Sequence, residues 1–206
     1  MSREAHAGFC ERRGVKLPPP TLPVVHCVSE RQAGRLVAAI ADRMAEVGLR
    51  LHPAKTRIVY CKDGKRRLDH EHTSFTFLGF TFRARKARSR NGRNFTSFLP
   101  AISKDALKKV SGAVRRWRLH RRTSASLADL ASWINPIVRG WMQYYGAFYR
   151  SALYPLLRRI NAYLVRWLRK KFKRLRTFKK AHACWRRITR QQPNAFAHWA
   201  WVPAFW

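Results

Sequence analysis

The chain has 206 residues, of which 44 are lysine or arginine and ten are aspartate or glutamate, giving a formal net charge of +34. Such a charge repels itself in a free compact domain and is tolerated when phosphates neutralise it, so a polyanion is the expected partner. A hydrophobic content of 46%, with eight tryptophans and twelve phenylalanines, excludes a disordered basic tail and predicts a folded core.

The cysteines and the apolar runs indicate the cellular compartment in which the protein is expected. Cys10, Cys27, Cys61 and Cys184 lie far apart without a CxxC pair, so neither a zinc site nor a disulfide framework is predicted. No signal peptide is visible, and the longest apolar run, residues 195–206, is too short to span a bilayer. We therefore expect a cytoplasmic protein with no membrane partner.

The N-terminal part begins without periodicity. Residues 1–23 hold four prolines near their end and show neither a period of two nor one of 3.6, so an irregular N-terminal arm is predicted. The apolar run at residues 24–28 is typical of a short buried strand.

A helix is predicted directly after that strand. Ser29 is placed as its N-cap, and Gln32 follows three residues later, as in a capping box. Apolar residues then recur at helical spacing as far as Val47, and Gly48 is placed to end the helix in a left-handed conformation. Strand-like runs at residues 57–61 and 75–82 complete this part of the chain.

The composition changes after residue 82. Residues 83–206 contain 30 basic and two acidic residues, a net charge of +28, whereas residues 1–82 carry +6. Residues 83–94 contain six basic side chains and an Asn-Gly pair, and we predict a basic linker or loop there. Three helical stretches are predicted in residues 95–206, so the overall fold class is α+β, mostly α.

Capping residues mark where these helices should begin. Ser103 is placed to cap the first helix, and Ser124 or Ser126 the second. Pro136 predicts an interruption of the second helix, with Asn135 capping a new start.

Four segments resemble the C-terminal part of group II intron-encoded reverse transcriptase/maturases. Residues 48–56, GLRLHPAKT, resemble the GLxLxPxKT segment of the palm, and residues 77–80, FLGF, resemble the turn of the primer grip. Residues 134–146, INPIVRGWMQYYG, resemble the NPIxRGWxxYY signature of the maturase-specific domain, and residues 163–169 resemble the Trp- and Arg-rich helix after it.

The resemblance implies both an architecture and a partner. The architecture is a remnant of a reverse-transcriptase palm at residues 24–82, followed at residues 95–206 by a helical thumb and maturase-specific domain. The implied function is binding of structured group II intron RNA in splicing or mobility, with DNA as a further partner.

Catalytic residues are not assigned. In the resembled family a YADD turn directly precedes the strand that begins here at Val24, whereas residues 18–23 of this chain are PPPTLP and no aspartate occurs before Val28. Nucleotidyl transfer needs carboxylates to hold two magnesium ions. The chain alone is therefore predicted to lack polymerase activity and the Mg²⁺ cofactor of the intact family, and residues 69–72, DHEH, do not indicate another metal site.

Two further features resemble parts of a polymerase palm, and the sequence allows a prediction for each. Lys55 resembles the palm lysine that assists pyrophosphate departure, but without the aspartates we expect a solvated lysine on a turn. The primer-grip-like residues Phe77, Leu78, Gly79 and Phe80 have two interpretations: a backbone at Gly79 that faces a nucleic-acid strand, or a buried aromatic strand with a glycine bulge.

The maturase signature supplies candidate RNA contacts. Trp141 and Tyr145 are predicted to lie in the core, while Arg139 could bind a phosphate bidentately and Tyr144 could stack on an unpaired base. Gly140 would allow a close approach. The alternative interpretation is that the whole motif is a folding signature.

The largest basic run follows the signature and contains no acidic residue, so internal ion pairs cannot neutralise it and phosphate binding is favoured. The residues of this run that we predict to bind RNA are Arg166, Arg169, Lys170, Lys171, Lys173 and Arg174.

Three other functions stay open. The chain could be one half of a split RNA-directed DNA polymerase, with a complementing fragment as its partner. It could be a truncated remnant without function, whose unpaired palm strands would favour aggregation. The third alternative is a basic protein of the ribosomal type.

Overall fold

The computed structural model describes residues 3–6, 24–66, 68–89 and 91–204. The chain divides into two compact units, Met1–Pro100 and Ala101–Trp206. The first unit contains two small sheets and one helix, and the second is helical, so the chain is mixed α and β as predicted.

The first sheet has three strands in the order β2-β1-β3, formed by β1 (Arg3–His6), β2 (Val24–Cys27) and β3 (Arg57–Val59). Strand β1 pairs antiparallel with both neighbours. The prediction of an irregular arm is therefore wrong for residues 3–6, because their amides and carbonyls find partners on two sides and no periodicity is detectable in four residues. The remainder of that prediction lies outside the described residues.

Helix α1 (Glu30–Glu46) begins and ends where the sequence indicates. The Gln32 amide donates to Ser29 Oγ over 3.2 Å, and the Gln32 side chain accepts from the Val28 amide over 2.7 Å. Gly48 has a φ of +71°, the left-handed conformation expected of a helix end. Buried Ala33 on α1 packs against buried Cys27 on β2 in a small core.

The second sheet has the order β4-β5-β6, with β4 at Phe75–Phe77, β5 at Phe80–Arg88 and β6 at Asn94–Ile102. Residues 75–82 are therefore a hairpin and not one strand, and the linker predicted at residues 83–94 is wrong, since residues 83–88 and 94 lie in neighbouring strands. The Asn91-Gly92 pair, with Gly92 at a φ of +77°, belongs to the turn that reverses the chain.

The helical unit is built around one central helix. It contains α2 (Lys104–Arg116), α3 (Leu127–Gly146), α4 (Tyr154–Lys171) and α5 (Phe178–Gln191), with short 3-10 helices at Leu119–Arg121, Arg150–Leu153, Lys173–Leu175 and Ala197–Ala200. Helix α4 supplies the largest share of the core: its buried positions recur three or four residues apart and include Leu157, Ile160, Leu164 and Leu168. No described helix is both long enough and apolar enough to cross a membrane.

The predicted caps of α2 and α3 are present. Ser103 Oγ accepts from the Ala106 amide over 3.1 Å. Ser126, one of the two candidates for α3, forms a complete capping box with Asp129: the Asp129 amide donates to Ser126 Oγ over 3.1 Å, and the Ser126 amide donates to Asp129 Oδ2 over 2.8 Å.

The predicted interruption of α3 is wrong, because the helix continues through Pro136. Asn135 does not cap a new start. Its Nδ2 donates to the Ala195 carbonyl over 2.9 Å, and its Oδ1 accepts from the Ala197 amide over 2.8 Å. A polar contact with a distant segment has replaced the local cap that the Asn-Pro pair suggested.

A second buried asparagine fixes the C-terminal segment, residues 192–204, to α4. The fully buried Asn161 donates from Nδ2 to the carbonyls of Val202 and Ala204, over 2.8 and 2.7 Å. Its Oδ1 accepts from His198 Nε2 over 2.7 Å and from Trp199 Nε1 over 3.0 Å. Since an amide oxygen can only accept, His198 Nε2 carries a hydrogen and donates it to Asn161 Oδ1.

Replacing Asn161 by alanine should lower the free energy of unfolding of the helical unit by about 2–4 kcal/mol, because two buried carbonyls and two buried ring N–H groups would lose their partner. Urea unfolding followed by tryptophan fluorescence measures the change. Replacing the exposed Gln191 by alanine is the control and should leave the midpoint nearly unchanged; equal effects of the two variants would contradict the proposed anchor.

The helical unit should also lose stability in acid. Burial lowers the pKa of His198 from 6.5 to about 3. Between these values the unfolded chain binds a proton that the folded chain does not, so the free energy of unfolding falls as the pH falls from 6.5 towards 3. Urea midpoints measured across this range should show a steeper pH dependence for the wild type than for His198→Gln, and parallel curves would refute the assignment.

Candidate nucleic-acid interface

The helical unit holds an uncompensated positive charge. Residues 101–206 contain 24 basic residues and two acidic ones, Asp105 and Asp129. Both acidic residues lie in the first turn of a helix, where the helix dipole favours a negative charge. Among residues 101–204, no carboxylate forms an ion pair with a basic side chain. The counter-charge must therefore come from outside the unit.

One group of cations surrounds His120 in the 3-10 helix that precedes α3. Burial lowers the pKa of His120, and the positive charges of Lys170, Arg121, Arg166 and Arg118 lower it further. Arg121 lies in the 3-10 helix and Arg118 directly precedes it, whereas Arg166 and Lys170 lie on α4. These two parts of the chain thus bring four cations together. We call these four residues and His120 the His120 patch; it includes two predicted RNA-binding residues, Arg166 and Lys170.

Two other predicted RNA-binding residues have structural contacts. Arg169 donates from Nε and Nη2 to the Arg176 carbonyl, over 2.9 and 2.6 Å, and so holds the turn after α4. Lys171 Nζ donates to the Ala125 carbonyl over 2.6 Å and lies 5.6 Å from the centroid of the Trp167 ring. Their side chains are engaged with the protein's own backbone.

A basic groove of about 570 Å³ lies between the 3-10 helix at Lys173–Leu175 and α5. Its cations are Arg174, Lys180 and Arg187, and Leu175 is part of its apolar lining. Lys173 is exposed beside the groove. The sequence analysis did not select Arg187, although it follows Lys180 by seven residues, a spacing that places both on one face of a helix.

The structure places Arg139 and Tyr144 on different faces of α3. Five residues of α-helix correspond to a rotation of about 140°. Tyr144 is 48% exposed and meets Tyr145 edge to face, with ring centroids 4.8 Å apart. Trp141 stacks on Trp117 at 5.5 Å, and Trp141 and Tyr145 pack partly buried against the core, as predicted.

Arg139 faces a cleft of about 560 Å³ between α3 and the C-terminal segment. The close approach expected at Gly140 occurs at Gly146 instead. A Cβ atom at Gly146 would collide with Cη2 and Cζ3 of the Trp201 ring, whereas no described atom lies within 4 Å of one at Gly140. The polar and aromatic residues that line the cleft include Arg139, Gln143, Arg150, Asn194 and Trp201.

In the first unit, the primer-grip-like residues form the turn of the β4–β5 hairpin. Leu78 and Gly79 both have positive φ, +47° and +78°, as in a type I′ turn, so Gly79 does not form a bulge within a strand. Phe80 is buried and Phe77 is partly buried, while Leu78 is 66% exposed. Lys55 is exposed on a turn, where its amide donates to the His52 carbonyl over 3.0 Å.

The carboxylates among the described residues do not fit the magnesium ions of the resembled family. No group of three or more His, Cys, Asp or Glu side chains in this part of the chain could hold a metal ion. Asp63 Oδ1 accepts from the amides of Lys65 and Arg66, and Asp69 pairs with Lys62 over 2.5 Å.

A comparison with known protein families identifies a domain within the helical unit. Residues 107–185 match the family model described as the group II intron, maturase-specific domain. The chain thus carries a group II intron maturase-specific domain, which confirms its resemblance to the C-terminal part of group II intron maturases. The matched segment contains the signature at residues 134–146 and ends before the C-terminal segment. Neither the curated proteins nor the solved structures yield a match to the chain.

Replacing Leu78 by asparagine should stabilise the first unit by about 0.5–1 kcal/mol, because asparagine tolerates the left-handed conformation that a leucine side chain disfavours. Thermal unfolding followed by circular dichroism measures the effect. Val47→Asn, at another exposed apolar residue whose φ is −103°, is the control and should bring no gain. A loss of stability in Leu78→Asn would show that the Leu78 side chain contributes more than its backbone strain costs.

Proposed function

We propose that this protein binds group II intron RNA and supports intron splicing or mobility. The observation that carries the proposal is the coincidence, in one unit, of a maturase-specific domain and 24 basic side chains without carboxylate partners among the described residues. A family signature alone would leave the ligand open, and a positive charge alone would fit any polyanion.

The proposed mechanism is electrostatic. A folded intron brings phosphates close together, and cations that lie between them lower the repulsion that opposes folding. Binding also releases counterions from the RNA, which favours the complex and makes its affinity depend on salt. The His120 patch and the basic groove each present several cations on a folded surface, so each suits a place where phosphates converge.

The candidate contacts have separate roles in this proposal. Arg166 and Lys170 of the His120 patch, and Arg174 beside Lys173, bind phosphates. Tyr144 stacks on an unpaired base, for which its exposed ring is suited. Arg169 and Lys171 keep the shape of the basic surface, because their donors are directed at backbone carbonyls. Since DNA carries the same phosphates, it is a further candidate partner.

A split polymerase receives less support. A complementing fragment would have to supply the carboxylates that hold magnesium, and would need access to the strands that resemble a palm. Strands β2 and β3 both pair with β1 of the same chain. The same pairing weakens the remnant interpretation, which relies on unpaired strands that favour aggregation.

The test compares a group II intron RNA with an unrelated structured RNA of equal length, at several salt concentrations. We expect tighter binding of the intron RNA at moderate salt, and faster splicing of that RNA at low magnesium when the protein is present. Equal affinity for the two RNAs, without an effect on splicing, would reject the maturase function and leave a non-specific polycation. Duplex DNA, added as a competitor, measures the DNA affinity.

The double variant R166A/K170A tests the contribution of the His120 patch. Loss of two phosphate contacts should weaken binding and reduce the slope of log affinity against log salt by about 1.5–2. The matched control, R31A/R35A, removes two exposed arginines from α1 in the first unit. An equal change in both variants would show that net charge, and not the patch, determines binding.

A further inference from the structure

The maturase signature presents two chemically different faces on α3. Ile134 and Val138 are fully buried in the core, and Ile137 and Trp141 pack partly buried against it. Arg139, Gln143 and Gly146 are spaced four and three residues apart and line the cleft instead. Packing therefore explains the apolar members of the signature and Gly146, which contacts Trp201, but it does not explain Arg139 and Gln143.

The opposite wall of the cleft is the C-terminal segment, and it is held rigidly. Asn135 forms hydrogen bonds with Ala195 and Ala197. Asn161 forms hydrogen bonds with His198 and with residues that follow His198 in the chain. These contacts position Asn194 and Trp201 against α3 before any ligand arrives. A site that is already formed loses little entropy when it binds.

The chemistry of the cleft suits a nucleotide. Two guanidinium groups, of Arg139 and Arg150, border it, the described residues that line it include no carboxylate, and the Arg150 guanidinium carbon lies 5.0 Å from the centroid of the Trp201 ring. Gln143 and Asn194 supply amides, which can both donate to and accept from the edge of a base. The small residues Ala147 and Ala200 also line the cleft, and its volume of about 560 Å³ is that of a small-molecule site.

We propose that this cleft receives one unpaired nucleotide of the bound RNA, an inference that rests on the proposed function. Arg139 and Arg150 hold its phosphate, the base packs beside Trp201, and the amides of Gln143 and Asn194 bond to the edge of the base. A paired base is excluded, because its edge is occupied by its partner and the cleft does not admit a duplex. The cleft thus adds a preference for unpaired nucleotides to a general affinity for phosphates.

Photocrosslinking of the full chain tests the position of the nucleotide. Two RNA hairpins of equal length carry one 5-iodouridine each, in the loop of the first hairpin and paired in the stem of the second. Because no lysine or arginine follows Arg190, trypsin releases residues 191–206 as one peptide. We expect the loop label to crosslink to this peptide and the stem label not to do so. Crosslinks confined to other peptides would overturn the proposal.

Variants separate the cleft from the rest of the basic surface. R139A/R150A should weaken binding of the loop hairpin about tenfold more than binding of a fully paired duplex with the same number of phosphates. The control R186A/R190A removes two exposed arginines of α5 and should weaken both RNAs equally. A second variant, Q143E, leaves Arg150 and Trp201 in place and should repel the phosphate, whereas Q191E should not.

The outcomes distinguish the two proposals. If the wild type binds duplex and loop RNA alike, and R139A/R150A behaves like R186A/R190A, the cleft is not a nucleotide site, while RNA binding stands. If the wild type binds neither group II intron RNA nor these two RNAs at moderate salt, the proposed function fails and the cleft proposal fails with it. Thermal unfolding of each variant confirms that the helical unit is intact.

Discussion

The hydrogen bonds of one buried amide, Asn161, fix the position of the C-terminal segment on α4. An asparagine without a partner would be costly in the middle of α4, yet this side chain donates twice and accepts twice. All four partners belong to the C-terminal segment, which therefore cannot slide along the helix without leaving several polar groups unsatisfied. Apolar contacts alone would tolerate such a shift, since they are not directional.

The arginines and lysines of the helical unit fall into two groups with different physical roles. Arg169 and Lys171 donate to the backbone carbonyls of Arg176 and Ala125 and so add side-chain hydrogen bonds to those turns. Arg166 and Lys170 lie close enough to His120, together with Arg118 and Arg121, for their positive charges to lower its pKa, and Arg166 also lies 5.7 Å from the centroid of the Tyr163 ring. In the sequence the two groups form one continuous basic run, because the amino-acid sequence does not reveal which side chains have hydrogen-bond partners.

Local features of the fold could be predicted from the sequence, and distant contacts could not. Ser29 and Ser103 were identified as caps, and Ser126 as one of two candidates, because a cap depends on residues within one turn. Asn135 was misinterpreted because its partners, Ala195 and Ala197, lie about sixty residues away. The strand at residues 3–6 was missed for the same reason: its regularity is supplied by β2 and β3 and not by its own pattern.

At the candidate site, too, local features could be predicted from the sequence and distant contacts could not. The signature at residues 134–146 correctly indicated the maturase-specific domain, but the sequence placed Arg139 and Tyr144 in one group, although helical geometry separates them. Gly140 was expected to allow a close approach because it neighbours Arg139, whereas the glycine that does so, Gly146, is identified only when the position of Trp201 is known.

The fit of Trp201 against Gly146 also divides the cleft along the chain. The matched family segment ends at residue 185, so one wall of the cleft lies inside the matched segment and the other lies outside it. A substitution beyond residue 185 can therefore change the shape of the cleft and leave the helices of the matched segment as they are.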